Sequence, residues 1–144
     1  MHLQVKSKLG EEKKLFPFMA DWFRGAKIDE EDYQDLLTAV TEACLNAIEH
    51  GNGLDPRLPV DVELTSDDRE VVIRVKDHGQ GISNLEPSSL EAAGLESELE
   101  ARRGWGLKFI QAFVDELNFY HEMTSPPRFC MEMKKKLWKN GWRS

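Results

Sequence analysis

TEACLNAIEHG, residues 41–51, lies in the middle of a long helical pattern that contains no proline. The apolar residues along this pattern recur at helical spacing and form one stripe, which consists of Leu36, Leu37, Val40, Cys44, Ala47 and Ile48. Glu42, Asn46 and Glu49 fall on the other side of the helix, about one turn apart, and His50 ends the row. Either a solvated polar face on a core helix or a catalytic site would explain this row.

The carboxylate and the carboxamide on this face can perform different chemical tasks. The side-chain oxygen of Asn46 is a neutral ligand that a hard cation such as Mg2+ accepts. The carboxylate of Glu42 can take a proton from an attacking hydroxyl group or water molecule. For this stretch alone a solvated face is the simpler interpretation, but two glycine motifs farther along the chain favour the catalytic one.

Length and composition predict one compact domain, residues 1–144, with one core. No apolar run is long enough to span a bilayer, and no signal-peptide core is present at the N-terminus. The net charge of −7 argues against a general nucleic-acid binder, which needs a basic face. Cys44 and Cys130 lack metal-site spacing, so we expect core cysteines in a cytoplasmic protein without disulfides.

Apolar periodicity predicts the order of helices and strands. Alternation predicts strands at residues 2–9, 60–64, 71–75, 118–122 and 129–133, the first of them at a sheet edge. Helical spacing predicts a helix over residues 11–25 and a second from a cap at Asp29 to about Glu49. A third helix is predicted to open at residues 103–106, with an apolar face of Leu107, Ile110, Phe113, Val114 and Leu117.

Short turns between strands favour antiparallel pairing, and one apolar stripe on each helix favours a single covered face. The predicted fold is therefore α+β, a two-layer sandwich in which helices cover one face of a mixed, mostly antiparallel sheet. The segment from about residue 83 to residue 103 is acidic and poor in apolar residues. Both a mobile lid and a surface loop with one loose helix fit that segment.

Two glycine motifs lie on either side of this segment. The first, DHGQGI at residues 77–82, follows a strand, and Asp77 there needs a hydrogen-bond donor such as the amino group of adenine. Gly79 and Gly81 would let a flat ring approach without a Cβ in the way. Gly104 and Gly106 are expected to precede a helix, so that free backbone N–H groups and the helix dipole point toward a bound phosphate.

Together the three segments resemble the motifs of the GHKL (Bergerat-fold) ATP-binding family. Residues 42–50 resemble its N box, residues 77–82 its first glycine box, and residues 104–107 (GWGL) its second. Within the family, the chain is most similar to the small bacterial anti-sigma factor serine/threonine kinases. The similarity extends from the first strand to Met133.

The resemblance implies an ATP- and Mg2+-dependent protein kinase with a role for each matching residue. Glu42 would be the general base for the attacking hydroxyl, and Asn46 would coordinate Mg2+. Asp77 would bind the adenine amino group. The other positions implied to contact the nucleotide are His50, Gly79, Gly81, Ile82, Arg103, Gly104, Gly106 and Leu107. His50 fits a polar helix-end residue equally well.

The sequence departs from the family pattern in two places. The family often has Gly-Thr before the last strand, with the threonine near the adenine site, whereas SPPR stands here at residues 125–128. The acidic segment would not favour phosphate unless Arg102 and Arg103 turn inward. Both departures concern the details of nucleotide contact, not the fold.

The resemblance also implies protein partners. These are an antagonist (anti-anti-sigma) protein that is phosphorylated, a sigma factor or related client, and a second copy of the chain in a homodimer. Phe18, Trp22 and Phe23 fit either the dimer interface or the core. Two other functions stay open: a nucleotide-gated binding switch without phosphotransfer, and a simple ATPase in which Glu42 activates water. Sensor histidine kinases usually carry asparagine where Glu42 stands, so a histidine-kinase fragment is not expected.

Overall fold

An antiparallel sheet with helices on one face forms the frame of the protein. The computed structural model describes residues 1–79 and 98–137, with the side chains of 98–105 excepted. The strands are β1 (His2–Lys6), β2 (Pro59–Ser66), β3 (Glu70–Asp77), β4 (Glu116–Glu122) and β5 (Arg128–Lys136). The helices are a 3-10 turn (Glu11–Lys14), α1 (Leu15–Gly25), α2 (Glu30–Asn46) with a π-helical turn (Ala47–Gly51) at its end, and α3 (Glu98–Phe113).

The strand order is β1-β2-β3-β5-β4, and each neighbouring pair is antiparallel. The inward residues of the three central strands alternate along the chain and form the sheet side of the core, which includes Val60, Val62, Leu64, Val71, Ile73, Val75, Met131 and Met133. The predicted two-layer α+β fold is confirmed, with β1 at an edge. Among the described strands no pair is parallel.

Helix α2 supplies the other side of the core. Its start is capped by Asp29, whose carboxylate accepts a hydrogen bond of 2.8 Å from the backbone N–H of Asp32. Leu36, Val40 and Ile48 are fully buried, as the apolar stripe predicts. Burying one such side chain stabilises the fold by about 1.5–3 kcal/mol, so this stripe fixes which face of α2 meets the sheet.

Helix α3 begins earlier than the glycine motif predicts. It starts at Glu98, so Gly104 and Gly106 lie inside the helix and do not precede it. The prediction that their N–H groups are free at a helix start is therefore wrong for this structure. Residues 98–103 are strong helix formers, and an interior glycine costs only about 1 kcal/mol relative to alanine. In the part of the chain that the structure describes, no helix is both long and apolar enough to cross a membrane.

Helix α3 also ends earlier than predicted, at Phe113. The Lys135 ammonium donates a hydrogen bond of 3.0 Å to the Phe113 carbonyl, and the N–H of Asp115 already pairs with the carbonyl of Lys134 at 2.9 Å. The chain after Phe113 therefore pairs with β5, and this pairing ends the helix. Leu117, predicted on the helix face, lies in β4 instead.

The second face of the sheet carries polar side chains in ion pairs. The Lys76 ammonium lies 2.9 Å from the Glu63 carboxylate and 2.7 Å from that of Glu122. The Arg128 guanidinium lies 2.7 Å from Asp61 and 2.6 Å from Glu122. The helices that the structure describes therefore cover one face of the sheet and leave this polar face to the ion pairs.

Asn52 joins the end of α2 to the exit of β3. Its side chain is buried, and its amide nitrogen lies 2.9 Å from the Ser7 hydroxyl and 3.0 and 3.2 Å from the carbonyls of Leu58 and Pro59. Its amide oxygen accepts a hydrogen bond of 2.7 Å from the N–H of His78. The Asn52 side chain therefore links three segments that are far apart in the sequence.

We expect Asn52→Ala to lower the free energy of unfolding by about 3 kcal/mol, because it leaves several buried polar groups without partners. Urea unfolding followed by circular dichroism measures this loss. Asn118→Ala is the matched control, since Asn118 is exposed and its contact to Glu132 is long, at 3.5 Å. Equal losses in the two variants would contradict the role of Asn52.

Candidate functional site

A small cavity lies between α2 and the sheet. Its lining comes from α2 with its π-helical turn, β3 and β5, and consists of Ala43, Asn46, Ala47, Val75, Asp77, Phe129 and Met131. The structure thus brings together Asn46 and Asp77, two of the residues predicted to form the site. The volume of this cavity is about 10 Å³, which is room for about one water molecule.

Asn46 presents an unsatisfied amide in this region. The residue is only 7% exposed, and its side-chain nitrogen has no hydrogen-bond partner among the described residues. Buried polar side chains nearly always have a partner, so a buried orphan donor beside a cavity indicates a place for a ligand. For Asn46 the solvated-face interpretation is wrong, because α3 covers this part of α2.

The cover over Asn46 is Gly106. A Cβ atom added there would lie 2.8 Å from the Glu42 carboxylate oxygen and 3.2 Å from the Asn46 side-chain nitrogen. With a larger residue at position 106 the Glu42 carboxylate would have to shift, so glycine lets α3 approach these two side chains in their present positions. Gly106 of the second glycine motif therefore does contact Glu42 and Asn46, but it does so from inside a helix and not from the start of one.

Glu42 has an environment that suits a proton acceptor. It is half-buried, and this burial, together with the nearby charge of Glu49, raises the pKa of Glu42 above its ordinary value. A carboxylate with a raised pKa takes a proton more readily from a hydroxyl group. The predicted role of general base fits this environment and stays a prediction.

Asp77 ends β3 at the cavity and is 5% exposed. One of its carboxylate oxygens accepts a hydrogen bond of 2.8 Å from the N–H of Gly79. A Cβ atom on Gly51 would overlap the Asp77 carboxyl group, and one on Gly79 would overlap the Gly51 carbonyl group. In the structure Gly79 thus serves a backbone-to-backbone contact with Gly51, a constraint that sequence analysis did not foresee.

Of the other residues predicted to contact the nucleotide, those that the structure describes are not among the residues that line the cavity. His50 lies in the π-helical turn, with its ring nitrogen 3.9 Å from the Glu49 carboxylate, and does not line the cavity. Leu107 is buried in the hydrophobic core. Arg103 and Gly104 lie in α3. Gly81, Ile82 and the part of the predicted lid at residues 83–97 lie outside the described residues, whereas residues 98–103 of that lid are helical.

Phe129 is a site residue that sequence analysis missed. It pairs directly with Asp77 across β3 and β5 and is 5% exposed in the cavity wall. Phe119 stacks on it at 6.0 Å, and His121 meets its edge at 5.5 Å. The alternation of the last strand was the available signal, but it does not show which residue faces Asp77.

Asn46 fits a magnesium ion that is bound mainly by phosphate. Among residues 1–79 and 98–137, no group of three or more His, Cys, Asp or Glu side chains could hold a metal alone. Mg2+ in nucleotide sites usually takes only one or two protein ligands and shares the phosphates of the substrate. A neutral amide beside the cavity satisfies that smaller requirement.

Comparison with known proteins agrees with the geometry. The model of the histidine kinase-like ATPase domain family matches residues 5–135. The chain belongs to this family of ATPases. The match runs from residue 5, within β1, to residue 135, within β5, and includes both Asn46 and Asp77. A histidine kinase-like ATPase domain implies ATP as the bound nucleotide.

Similar members of the histidine kinase-like ATPase family include anti-sigma F factors. That of Clostridium perfringens strain SM101 is 36% identical over 72% of this chain and 74% of its own length. That of Anoxybacillus flavithermus is 30% identical over 86% of this chain and 84% of its own length.

Two solved structures share the fold. The RsbU and RsbW domains of Rv1364c from Mycobacterium tuberculosis match with a TM-score of 0.61 and 20% identity, over 95% of this chain and 32% of that one. A chain of the SiaB-SiaC complex from Pseudomonas aeruginosa also has a TM-score of 0.61, with 15% identity over 93% of this chain and 88% of that one.

We expect Asn46→Ala to change the free energy of unfolding by less than about 1 kcal/mol, because the variant removes an unsatisfied donor along with some packing. The same variant should weaken ATP binding at least about tenfold in the presence of Mg2+ and change it little in EDTA. Urea unfolding and titration calorimetry measure the two effects. ATP binding that stays unchanged with Mg2+ would contradict the ligand role.

Proposed function

We propose that this chain is an ATP-dependent serine/threonine protein kinase that acts as an anti-sigma regulatory factor. It would phosphorylate an antagonist protein and hold a sigma factor or similar client. The observation that carries the proposal is the pairing of Glu42, whose pKa is raised, with the orphan amide of Asn46 one helical turn away, both beneath Gly106. The names of the similar anti-sigma F factors support the regulatory role.

The chemistry assigns one task to each side chain. ATP would supply the γ-phosphoryl group, and the bound Mg2+ would neutralise the charge on the phosphates. Glu42 would accept the proton of the attacking hydroxyl while that oxygen forms a bond to the γ-phosphorus and the bond to the ADP oxygen breaks. Asn46 would hold the metal, and Asp77 would accept a hydrogen bond from the adenine amino group.

Nucleotide entry requires the site to widen. The cavity admits about one water molecule, and a purine is much larger. Helix α3 is the element best suited to move, since its interior glycines, Gly104 and Gly106, each lower helix stability by about 1 kcal/mol relative to alanine.

We extend the proposal to the bound metal ion, the protein partners and the cellular location. Mg2+ would be the bound metal, and a homodimer formed through β1 and α1 would be the functional unit. The solved complex of SiaB with SiaC supports the idea that a protein of this fold binds a second protein. A cytoplasmic location would follow from regulation of a sigma factor.

Labelled ATP tests the proposal directly. The chain is incubated with Mg2+, γ-labelled ATP and a soluble extract of the cells from which it comes. Label in a protein serine or threonine supports the kinase. Free phosphate without labelled protein would indicate an ATPase, and neither product would indicate a nucleotide-gated switch, so both results would overturn the kinase proposal.

Glu42→Gln should abolish phosphotransfer and leave ATP binding nearly unchanged, because the amide cannot accept the proton. In the wild type the rate should rise with pH through the raised pKa of Glu42 and then level off. Glu49→Gln is the matched control. It should keep transfer and move the acidic limb to lower pH, since it removes a like charge.

The same substitution, Glu42→Gln, should raise the free energy of unfolding at pH 7. A carboxyl whose pKa is higher in the folded state than in the unfolded state destabilises the fold once it is ionised. That penalty is complete above the folded-state pKa and disappears as the pH falls toward the unfolded-state value. Urea unfolding between pH 4 and pH 8 checks this; a variant less stable at pH 7 would contradict it.

A further inference from the structure

A groove lies on the outer surface between the start of α1, the middle of α2 and the second half of α3. Its volume is about 300 Å³, and its lining consists of Phe16, Leu37, Thr38, Thr41, Glu42 and Phe109. It is distinct from the cavity that holds Asn46 and Asp77. Glu42 lines the groove, so one end of the groove reaches the carboxylate that the proposed phosphotransfer uses.

The walls of the groove are apolar and exposed. Phe16 is 45% exposed and Phe109 is 48% exposed, which is high for aromatic side chains. Phe109 is nevertheless held in place, because its ring meets that of Phe113 edge-on at a centroid distance of 4.9 Å. Two phenylalanines that face solvent across one groove indicate a surface for binding another molecule.

The threonines along the groove add little polarity. The Thr38 hydroxyl donates to the Gln34 carbonyl at 2.8 Å, and the Thr41 hydroxyl donates to the Leu37 carbonyl at 2.7 Å. Their hydrogens are therefore used within α2. Among the lining residues whose side chains the structure describes, Glu42 is then the one charged group.

We propose that this groove binds the segment of the phosphoacceptor protein that carries the serine or threonine. An apolar side chain of that segment would lie between Phe16 and Phe109, and the neighbouring hydroxyl would meet the Glu42 carboxylate. This inference rests on the proposed kinase function and adds the surface that selects the substrate. A general base must lie within hydrogen-bond distance of the hydroxyl it activates, and the groove provides that approach.

The lining also restricts what the segment contains. A large apolar residue next to the acceptor hydroxyl gains from burial against two aromatic rings. An acidic residue in the same position would be placed beside Glu42 and Glu49 and would be repelled. The expected substrate sequence is therefore apolar, not acidic, beside the serine or threonine.

A second copy of this chain fits the groove less well than a substrate does. In a two-fold contact the groove of one copy faces that of the other, so each Glu42 carboxylate would be covered by an apolar surface. Burying a carboxylate without a hydrogen-bond donor is unfavourable. The geometry therefore points to a different protein with a hydroxyl group at this end of the groove.

The test measures transfer of label from Mg-ATP into protein for wild type, Phe16→Ala, Phe109→Ala and the control Met123→Ala, at increasing concentrations of the native-cell extract. Met123 is 90% exposed and lies outside the groove. We expect each phenylalanine variant to need about tenfold more extract for half-maximal labelling. The maximal rate and the affinity for ATP should match wild type, as should all three quantities in Met123→Ala.

Two failures are distinguishable. If wild type labels no protein, the kinase proposal itself fails, and this inference fails with it. If wild type labels a protein and both phenylalanine variants label it at the same extract concentrations, only the inference is wrong. The inference is also wrong if sedimentation shows that Phe16→Ala and Phe109→Ala change self-association and leave labelling intact, because the groove would then bind a second copy.

Discussion

The close contact between the end of α2 and the exit of β3 is the constraint on which the site depends. Gly51 touches the carboxyl group of Asp77 and the backbone of Gly79 at distances that leave no room for a Cβ on either glycine. Asn52 closes the same contact by accepting a hydrogen bond from His78. Because two backbones meet there, the side chains that precede the contact on each element face one cavity.

The site holds groups that oppose folding, and the core compensates for them. The side-chain nitrogen of Asn46 is buried without a hydrogen-bond partner among residues 1–79 and 106–137, and the half-buried Glu42 carries a pKa raised by burial. Either feature costs free energy in the folded state. The stripe of α2 that includes Leu36, Val40 and Ile48 offsets this cost, because it is fully buried against the sheet. One helix therefore combines a stabilising face with a reactive one.

Local patterns predicted much of this arrangement. The strands and the buried stripe follow from periods of 2 and 3.6 residues, and the cap follows from the side chain of Asp29; both signals depend only on neighbouring residues. The pairing of Phe129 with Asp77 and the contacts of Asn52 join distant parts of the chain, so no local pattern contains them. The start of α3 differs from the predicted one because the glycine pair does not end the helix: the helix formers at residues 98–103 extend it in front of Gly104.

The cavity and the groove lie on two sides of α2. Asn46 faces the cavity, and Glu42, one turn earlier, lines the groove. Helix α3 separates the two spaces where Gly106 packs on both side chains. In the proposed kinase, nucleotide and acceptor would therefore approach Glu42 from different directions, as an in-line transfer between them requires.

The central claim is that Asn46 belongs to a nucleotide site. Its side-chain amide signal in nitrogen–proton NMR spectra, recorded as Mg-ATP is added, tests this most directly. We expect a progressive, saturable shift of the Asn46 signal while that of the exposed Asn118 stays in place. An Asn46 signal that does not move at millimolar Mg-ATP would contradict it.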